Sequence, residues 1–377
     1  MNTKLIALCL LLMTATGSSA QDHQQRKPDQ PLNRRWSSVA TRMSPEWYAS
    51  GEAKSVAETV LLFQKEIGGW EKNQPYHLLI DDSLRLEQLK KSTRQSATID
   101  NGSTITELRF LARMHAETGD NRYRQAFEKG VQFILAAQYK NGGWPQYYPV
   151  RSRRDEISTD KTMPYSMHIT YNDNAMVNVM RFLRDIYTEN EAFRSLNIRQ
   201  TTRRQARKAF DKGIACILNT QIRIDNQPTV WCAQHDELTL APANARSYEL
   251  ASFSGSESAG ITLLLMEIDN PSKEVVNAVK GAVKWFDTYK VEGIRLERIT
   301  NEAGQRDLVV VNDQNAPPLW GRFNDLETGR PFFCSRDGIK RETMAEISPE
   351  RRTGYAWYTN APMKVLNQYP EWKQKWN

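Results

Sequence analysis

The chain has 377 residues, of which 40% are apolar, with ten tryptophans and a formal charge of +7. This composition excludes a disordered or fibrous protein, because it supplies enough apolar side chains for a substantial core. The positive charge attracts polyanions. The basic residues are spread along the chain without a recognition helix or a finger motif, so we expect no nucleic acid binding.

The N-terminus has the pattern of a cleavable secretory signal peptide: one cation at Lys4, a short apolar run, and small residues up to Ala20. The run is shorter than the ~20 residues that a spanning helix needs, so we expect export without a membrane anchor. We predict a signal peptide at 1–20, a flexible polar leader at 21–35, and one large domain over 36–377.

Three cysteines remain after processing, namely Cys216, Cys232 and Cys334. An odd number in an exported protein leaves at least one thiol free. One disulfide is possible, but the sequence does not say which residues form it.

A helix-loop-helix unit of roughly 75 to 85 residues recurs along the domain. The first copy runs from SVAETVLLFQKEI through Gly68-Gly69-Trp70 to IDNGSTITELRFLARMHAETGD. The second runs from FEKGVQFILAAQYK through Gly142-Gly143-Trp144 to YNDNAMVNVMRFLRDIYTEN. The third runs from ARKAFDKGIACILNTQI past Trp231 to SGSESAGITLLLMEID. NAVKGAVKWFDTYK begins a fourth unit, and Leu308–Val311 is predicted as a short strand.

We interpret the glycines as left-handed caps that end the first helix of each unit. Asp, Asn or Ser opens the second helix, as N-caps do. Equal helical hairpins stack into a solenoid or close into a ring of inner and outer helices. The starts of the inner helices would then share one mouth, where Asp100, Asp173 and Ser254 either line a cleft or act only as caps.

Asp100-Asn101 and Asn172-Asp173-Asn174 place carboxylate and amide oxygens at similar points of two repeats. Oxygen-only donors suit a hard cation such as calcium. No EF-hand spacing is present, so substrate and water would supply many of the ligands. No histidines have metal-ligand spacing, which disfavours zinc, and we interpret His168 as structural.

Arg246, Arg322 and Arg336 lie on polar loops, where a guanidinium can bind a carboxylate through two nitrogens. An acidic polymer fits these arginines, although each one alone has the pattern of an ordinary surface or salt-bridged arginine. A glycosidase would instead need two carboxylates flanking a glycosidic bond. The sequence offers candidates for that chemistry in Asp100, Asp173, Glu249 and Glu257.

Seven strings in one order make the chain resemble polysaccharide lyase family 10, the pectate lyases of the PelA type. They are GGWEKN, ATIDNGSTITELRFLARMH, GGWPQYYP, HITYNDNAMVNVMRFL, ARSYELASFSGSES, RFNDLETGRPFFCSRDGIK and RRTGYAWY, from about Gly68 to Tyr358. The resemblance implies an all-α fold, an α/α toroid with irregular coils and short β-strands. It implies cleavage of (1→4)-α-D-galacturonan within the chain by anti β-elimination, with calcium, leaving 4,5-unsaturated uronides. We expect the protein to be a monomer.

Carried over string by string, the resemblance makes Arg246 the catalytic base and Asp173 a calcium ligand. Asp100 and Asn101 would sit beside the scissile bond, and Asp100 would also help to hold a calcium ion that arrives with the polygalacturonate substrate. Arg322 and Arg336 would bind uronate carboxylates. An inverting glycoside hydrolase on the same ring and a non-catalytic pectin-binding protein remain as alternatives.

The chain departs from the family pattern at Gln146, at Asn174, where glycine is common, and over 153–164, which is longer than typical. These changes leave the proposed base and acidic residues in place. Calcium and arginines would neutralise the uronate carboxylate and make the neighbouring C5 proton removable. Because free arginine titrates above pH ~12, we expect neighbouring cations to lower the pKa of Arg246 and activity to rise toward pH ~9.

Overall fold

The computed structural model describes residues 33–79, 83–84, 87, 96–150 and 165–376. The predicted signal peptide at 1–20 and the long loop at 153–164 lie outside these residues. So does the predicted leader at 21–35, except for its last three residues.

Helices make up most of the described regular structure. They are α1 (Trp36–Arg42), α2 (Pro45–Ala49), α3 (Gly51–Leu62), α4 (Ile105–Thr118), α5 (Asn121–Ala136), α6 (Ala175–Tyr187), α7 (Gln200–Thr220), α8 (Glu257–Met266), α9 (Lys273–Thr288), α10 (Pro349–Gly354) and α11 (Pro362–Trp376). None of the described helices is both long enough and apolar enough to cross a bilayer.

The helices pack in two layers that follow the repeat. The first helices of successive units contact each other, α5 with α7 and α7 with α9, and the second helices do the same, α4 with α6 and α6 with α8. Within the first unit, α3 contacts α4. Between successive units, α4 contacts α5 and α6 contacts α7. Helix α11 packs against α8 and α9, and α1 and α2 pack against α4. Closure of these layers into a toroid remains a prediction.

One buried tryptophan after the first helix of each unit ties the following turn to that helix. Its indole Nε1 donates to a helix carbonyl at 2.7–2.8 Å, and the pairs are Trp70 to Val60, Trp144 to Ile134, Trp231 to Ile217 and Trp320 to Phe286. Each indole is completely buried and satisfied, which a buried N–H requires. The last pair lies in the fourth unit, where the sequence analysis identified no such turn.

A glutamine at the end of the first helix joins neighbouring units. Its amide nitrogen donates to a carbonyl of its own turn and to a carbonyl in the first helix of the next unit. The distances to the next unit are 2.8 Å from Gln64 to Ala126, 2.8 Å from Gln138 to Ala209 and 2.9 Å from Gln221 to Ala278. The units therefore share hydrogen bonds as well as apolar contacts.

The repeat glycines are not helix caps, contrary to the prediction. Helix α3 ends at Leu62 with Phe63 as its C-cap, and α5 ends at Ala136, so Gly68 and Gly142 lie well beyond both helices. Both glycines have positive φ values. A Cβ at either position would collide with a backbone carbonyl of the next unit's first helix. Glycine is therefore needed for close approach of the turn to its neighbour.

The prediction that Asp100 and Asp173 cap the second helices of their units is also wrong. The N-cap residues of α4, α6 and α8 are Thr104, Asn174 and Ser256, and none of them makes a side-chain cap hydrogen bond. Asp100 and Asp173 lie before these positions, in short 3₁₀ turns. Their carboxylates are therefore available for contacts outside the helices. The third candidate, the Ser254 hydroxyl, does accept a hydrogen bond from the backbone of Glu257.

The strands are short and form two-stranded antiparallel pairs. They are β1 (Ala97–Thr98) with β2 (Tyr147–Tyr148), β3 (Ile169–Thr170) with β6 (Gln234–His235), β4 (Arg223–Ile224) with β5 (Gln227–Pro228), β7 (Ile294–Thr300) with β8 (Arg306–Asn312), β9 (Trp320–Gly321) with β12 (Tyr358–Thr359), and β10 (Phe333–Cys334) with β11 (Lys340–Arg341). Strand β8 covers the stretch predicted at Leu308–Val311. The pair β9–β12 brings the loop after Gly321 beside the loop before Tyr358.

The main core fills the space between the helices, and a second apolar cluster lies under the C-terminal loops. This second cluster contains Tyr248, Phe323, Phe332, Phe333, Cys334, Met344, Ile347 and Trp357. The cysteines Cys216, Cys232 and Cys334 are buried free thiols in the structure. Burial raises the pKa of Cys216 to about 12, so this thiol is inert at neutral pH.

Candidate active site

The 3₁₀ turn Asp100–Gly102, which precedes α4, holds a buried carboxylate. Oδ2 of Asp100 accepts hydrogen bonds from Nζ of Lys72 at 2.5 Å and from Nε2 of Gln146 at 2.8 Å. Burial alone would lower the pKa of Lys72, but the facing carboxylate outweighs it and raises this pKa. The other oxygen, Oδ1, is buried and has no hydrogen-bond partner in the described part of the chain.

Asn101 lies next to this carboxylate in the left-handed region, with φ 52°. Its amide donates to Oδ1 of Asn73 at 3.0 Å, and the contact is exposed to solvent. Asn101 is therefore accessible to a ligand at the edge of the turn.

The turn Asn172–Asn174, which precedes α6, contacts the Asp100 turn. The two turns have the same backbone conformation. Their residues correspond with an offset of one position from the pairing of Asp100 with Asp173 in the sequence analysis. Asp173, with φ 50°, is the structural equivalent of Asn101, and Asn172 takes the position of Asp100. The side chain of Asp173 is therefore 43% exposed, whereas that of Asp100 is 3% exposed.

Arg322 links this second turn to the start of α8. Its Nη2 donates to Asn172 Oδ1 at 3.0 Å, to Asp173 Oδ1 at 3.0 Å and to Glu257 Oε1 at 2.8 Å. Three side-chain oxygens therefore converge on one cationic nitrogen. Burial alone would lower the pKa of Arg322, but Glu257 and the other acidic neighbours raise it, so this guanidinium stays charged.

Glu257 is almost completely buried at the first position of α8. Besides Arg322, its partners are the hydroxyl of Ser254, which donates to Oε2, and the backbone N–H of Asp173, which donates to Oε1 at 3.4 Å. A buried carboxylate needs such partners to remain in place. The sequence analysis considered Glu257 only as a glycosidase carboxylate and did not predict its pairing with Arg322.

Arg246 lies on the loop between β6 and α8 and forms a two-point ion pair with Glu249. Nε donates to Oε2 at 2.8 Å and Nη2 donates to Oε1 at 2.5 Å. Burial alone would lower the pKa of Arg246, but the hydrogen bonds and charge of Glu249 raise it. The expected lowering of this pKa by neighbouring cations is therefore wrong for the protein alone, because the nearest charge is a carboxylate.

The same ion pair weakens the glycosidase alternative. Burial would raise the pKa of Glu249, but hydrogen bonds from Arg246 and Tyr355 hold it below its usual value. A carboxyl that stays ionised does not serve as the general acid that glycoside hydrolysis requires.

Tyr355 lies between the two arginines. Its hydroxyl donates to Oε1 of Glu249 at 2.7 Å. Its ring centre is 4.7 Å from the guanidinium carbon of Arg322 and 5.8 Å from that of Arg246, which are distances typical of cation–π contacts. The ring also stacks on Phe323 of the second apolar cluster. One aromatic residue thus connects the predicted base to the predicted carboxylate-binding arginine.

Arg336 lies at the rim of the same cluster. Its side chain is 65% exposed and pairs with Glu350 at 2.9 Å. Its guanidinium carbon is 5.9 Å from the ring centre of Tyr248, which also contacts Arg246 at 4.9 Å and Arg351 at 4.6 Å. Three arginines therefore surround one tyrosine, and Arg336 is the most accessible of them.

The structure thus brings the predicted site residues into one region. Asp173 contacts Arg322 directly, Tyr355 and Tyr248 connect these to Arg246 and Arg336, and the Asp100–Asn101 turn lies against the Asp173 turn. The sequence analysis missed the partners that hold these residues, namely Lys72, Gln146, Tyr248, Glu249 and Tyr355. Glu249 had a local signal, because it follows Arg246 by three residues in ARSYEL. The others come from distant segments.

Another group of possible metal ligands lies outside this cluster. His168, Asp236 and Glu237 offer ligand atoms that lie within 4.8 Å of one another, the one such group of His, Cys, Asp or Glu found in the described residues. His168 Nδ1 is 3.0 Å from Glu237 Oε2, and Asp236 Oδ1 accepts hydrogen bonds from Leu238 and Thr239. Internal partners therefore account for this group, in line with a structural histidine.

The residues around Asp173 fit a hard cation. Asn172, Asp173 and Glu257 supply only oxygens, and their convergence on Nη2 of Arg322 marks a point that favours positive charge. The buried Oδ1 of Asp100 has no donor among the described residues, which also suits a cation. Neither turn is a closed cage, so further ligands must come from substrate and water.

The sequence profile of the family described as pectic acid lyase matches residues 64–366. The chain is similar to a family 10 polysaccharide lyase from Cellvibrio cellulosa, with 34% identity over 86% of this chain and 95% of that chain and a TM-score of 0.71. It is also similar to a mutant of a family 10 polysaccharide lyase from the same organism in complex with trigalacturonic acid, with 33% identity, 89% and 95% coverage and a TM-score of 0.72. None of the curated proteins matches the chain. The chain belongs to the pectic acid lyase family.

Proposed function

We propose that this pectate lyase cleaves polygalacturonate within the chain by calcium-dependent anti β-elimination, with Arg246 as the base. The observation that carries the proposal is the connection of Arg246 to Arg322 and Asp173 through Tyr355. It joins a candidate base, a carboxylate-binding cation and an acidic metal ligand in one cluster. The trigalacturonic acid complex of the similar Cellvibrio cellulosa lyase supports an oligogalacturonate as the ligand.

Pectate lyases of this family are generally calcium-dependent. In our proposal Asp173 is the principal ligand, with Glu257 and Asn172 beside it, and Asp100 holds an ion that arrives with the substrate. A calcium ion bound there supplies positive charge that neutralises the uronate carboxylate and stabilises the charge that develops when C5 loses its proton.

The side chains of this chain then have distinct tasks. Arg322 and Arg336 bind uronate carboxylates, and Asn101 and Asp100 flank the scissile bond. The C5 proton moves to the neutral guanidine of Arg246. The electron pair of the former C5–H bond forms the C4–C5 double bond, and the C4–O bond breaks. The leaving oxygen takes a proton from water. Preorganised cations beside the developing negative charge lower the barrier because they need no rearrangement during the reaction.

The cellular setting and the overall architecture extend the same proposal. The signal-like N-terminus supports export of the enzyme, and the basic net charge supports attraction to an acidic polymer. The two helix layers support an α/α toroid with the site at the mouth formed by the starts of α4, α6 and α8, and we expect the enzyme to act as a monomer.

The test is incubation of the purified protein with polygalacturonate while the ultraviolet absorbance of an unsaturated uronide is followed. We expect absorbance to appear with the wild type and to be lost with Arg246→Ala and Arg246→Lys, because lysine lacks the planar fork. Arg207→Ala, which removes an exposed pair with Asp211 on α7, is the control and should be active.

Chain cleavage without absorbance would point to hydrolysis, and binding without any product would point to a pectin-binding protein. Wild-type rates in both Arg246 variants would refute the assignment of the base.

A further inference from the structure

The ion pair between Arg246 and Glu249 leaves one guanidinium nitrogen free. Glu249 accepts hydrogen bonds from Nε and Nη2 of Arg246, and Oε2 also accepts one from the backbone nitrogen of Arg246 at 3.2 Å. Within the part of the chain that the structure describes, Nη1 makes no hydrogen bond. The side chain of Arg246 is 44% exposed, whereas that of Glu249 is 8% exposed, so the guanidinium is anchored on the buried side.

Glu249 is itself held from two directions. Its backbone nitrogen donates to the Arg246 carbonyl at 2.7 Å, and its carbonyl accepts from Ala245 at 2.8 Å, which closes a tight turn. Tyr355, more than a hundred residues away, donates its hydroxyl to Oε1. The same Oε1 receives the Nη2 hydrogen bond from Arg246. The carboxylate therefore has little freedom to rotate away from the guanidinium.

We propose that Glu249, fixed by Tyr355, is a positioning residue that makes Nη1 of Arg246 the atom that accepts the C5 proton. This inference rests on the proposed role of Arg246 as base. A carboxylate that accepts from Nε and Nη2 requires Nε to keep its hydrogen and Nη2 to keep the hydrogen that faces Glu249. The proton that leaves on neutralisation therefore points away from Glu249, and we assign it to Nη1, which makes no hydrogen bond within the described residues. Glu249 thus selects both the orientation and the tautomer of the base.

The arrangement follows the logic by which a buried aspartate orients the histidine of a catalytic triad. It also carries a cost, because a carboxylate next to Arg246 favours the cationic form. The groups that face Arg246 are Glu249, Tyr248 and Tyr355. The charge of Glu249 opposes loss of a proton from Arg246. The same charge stabilises the arginine cation once the C5 proton has arrived.

The test measures kcat and KM on polygalacturonate against pH for Glu249→Gln, Glu249→Asp and Tyr355→Phe. Glutamine can accept only one of the two hydrogen bonds, and its amide N–H favours an electron pair on the wrong nitrogen. We expect Glu249→Gln to lose about 100-fold in kcat, as misplacement of a reacting group does, with KM little changed. Its alkaline rise in kcat should move about 1 to 3 pH units lower, because the opposing charge is gone.

The other two variants separate position from charge. Glu249→Asp keeps the charge, so its pH profile should stay at the wild-type position while its kcat falls. Tyr355→Phe keeps the ring and loses one hydrogen bond to Glu249, so we expect a decrease in kcat of about tenfold. If Glu249→Gln does not fold, these two variants decide the question.

Asp307→Asn is the matched control, because Asp307 binds Nε and Nη2 of Arg352 at 2.8 and 2.5 Å, the same distances as in the Arg246 pair. We expect it to lose stability but to keep the wild-type kcat and pH profile. An unshifted pH profile in Glu249→Gln, or an effect on KM alone, would overturn the inference.

The two proposals fail in different ways. Absence of unsaturated product from the wild type, or full activity of Arg246→Ala, would reject the proposed function. An active wild type and an inactive Arg246→Ala, together with a Glu249→Gln variant that behaves as wild type, would reject only the role of Glu249.

Discussion

The guanidinium of Arg322 lies over the ring of Tyr355, with its carbon 4.7 Å from the ring centre. The hydroxyl of that ring belongs to the hydrogen-bond network of Glu249 and Arg246. The two arginines therefore share one support, which is rooted in the apolar cluster through Phe323. Both arginines therefore contact the same aromatic ring.

Loss of Arg322 should destabilise the protein. Arg322→Ala would leave the buried carboxylate of Glu257 without its cation, and removal of one partner of a buried pair costs about 3 to 5 kcal/mol. Urea denaturation measures the change. The double variant Arg322→Ala/Glu257→Ala should recover part of the loss because it removes the unpaired charge. Equal stability of the single and double variants would contradict this explanation.

Activity should rise with pH. The pKa of Arg246 lies above the ordinary value for arginine because Glu249 stabilises the charged form. The fraction of neutral Arg246 is therefore small at neutral pH and increases tenfold with each pH unit. We expect kcat/KM to increase with a slope near one from neutrality to pH ~9 or beyond. A plateau already reached at acidic pH would contradict Arg246 as the base.

Calcium should act through Asp173. A chelator should abolish turnover, and Asp173→Asn should raise the calcium concentration needed for half-maximal rate by about tenfold or more, because it removes a charged ligand. Glu237→Gln alters the separate group with His168 and serves as the control. A larger shift in Glu237→Gln than in Asp173→Asn would move the functional ion to that group.

The repeat tryptophans should matter for stability more than for chemistry. Trp144→Phe keeps an aromatic ring but leaves the buried carbonyl of Ile134 without its donor, at a cost of about 1 to 3 kcal/mol. Chemical denaturation measures this loss, and the specific activity at low temperature should be retained. Unchanged stability would mean that water replaces the indole donor.

Glu107, buried on α4, should make stability depend on pH. Burial raises the pKa of Glu107 to about 7 from 4.5, although hydrogen bonds from Trp36 and from the backbone act in the opposite direction. The folded protein therefore favours the protonated form. The contribution of Glu107 to the free energy of unfolding is most favourable below pH 4.5. About 3 kcal/mol of this free energy is lost as pH rises to about 7. Glu107→Gln should lose less stability than the wild type between pH 5 and 8 in urea titrations. Parallel curves would contradict the assignment.

Local patterns in the sequence predicted the helices and the polar loops. Apolar residues at helical spacing mark α5 and α7, and the Gly-Gly-Trp strings mark the turns that follow the first helices. The candidate arginines were visible because they stand on loops without a helix face. Such features depend only on residues close in the chain.

The surroundings of the site depended on contacts between distant segments. Tyr355 reaches Glu249 across more than one hundred residues, and Arg322 reaches Asp173 across 149. The register of the two acidic turns was also hidden, because Asp100 and Asp173 look alike in sequence while a one-residue offset buries one and exposes the other. The sign of the pKa shift of Arg246 followed from the nearest neighbour, which the sequence analysis had assigned to another role.

The glutamines that bridge successive units hydrogen-bond each pair of helices to the next pair. A single unit cannot detach without exposing a carbonyl of its neighbour, as at Ala126, Ala209 and Ala278. The slowest amide protons should therefore form one group that exchanges with solvent only through global opening, rather than unit by unit. The candidate active site would then stay intact until the entire helical array unfolds at once.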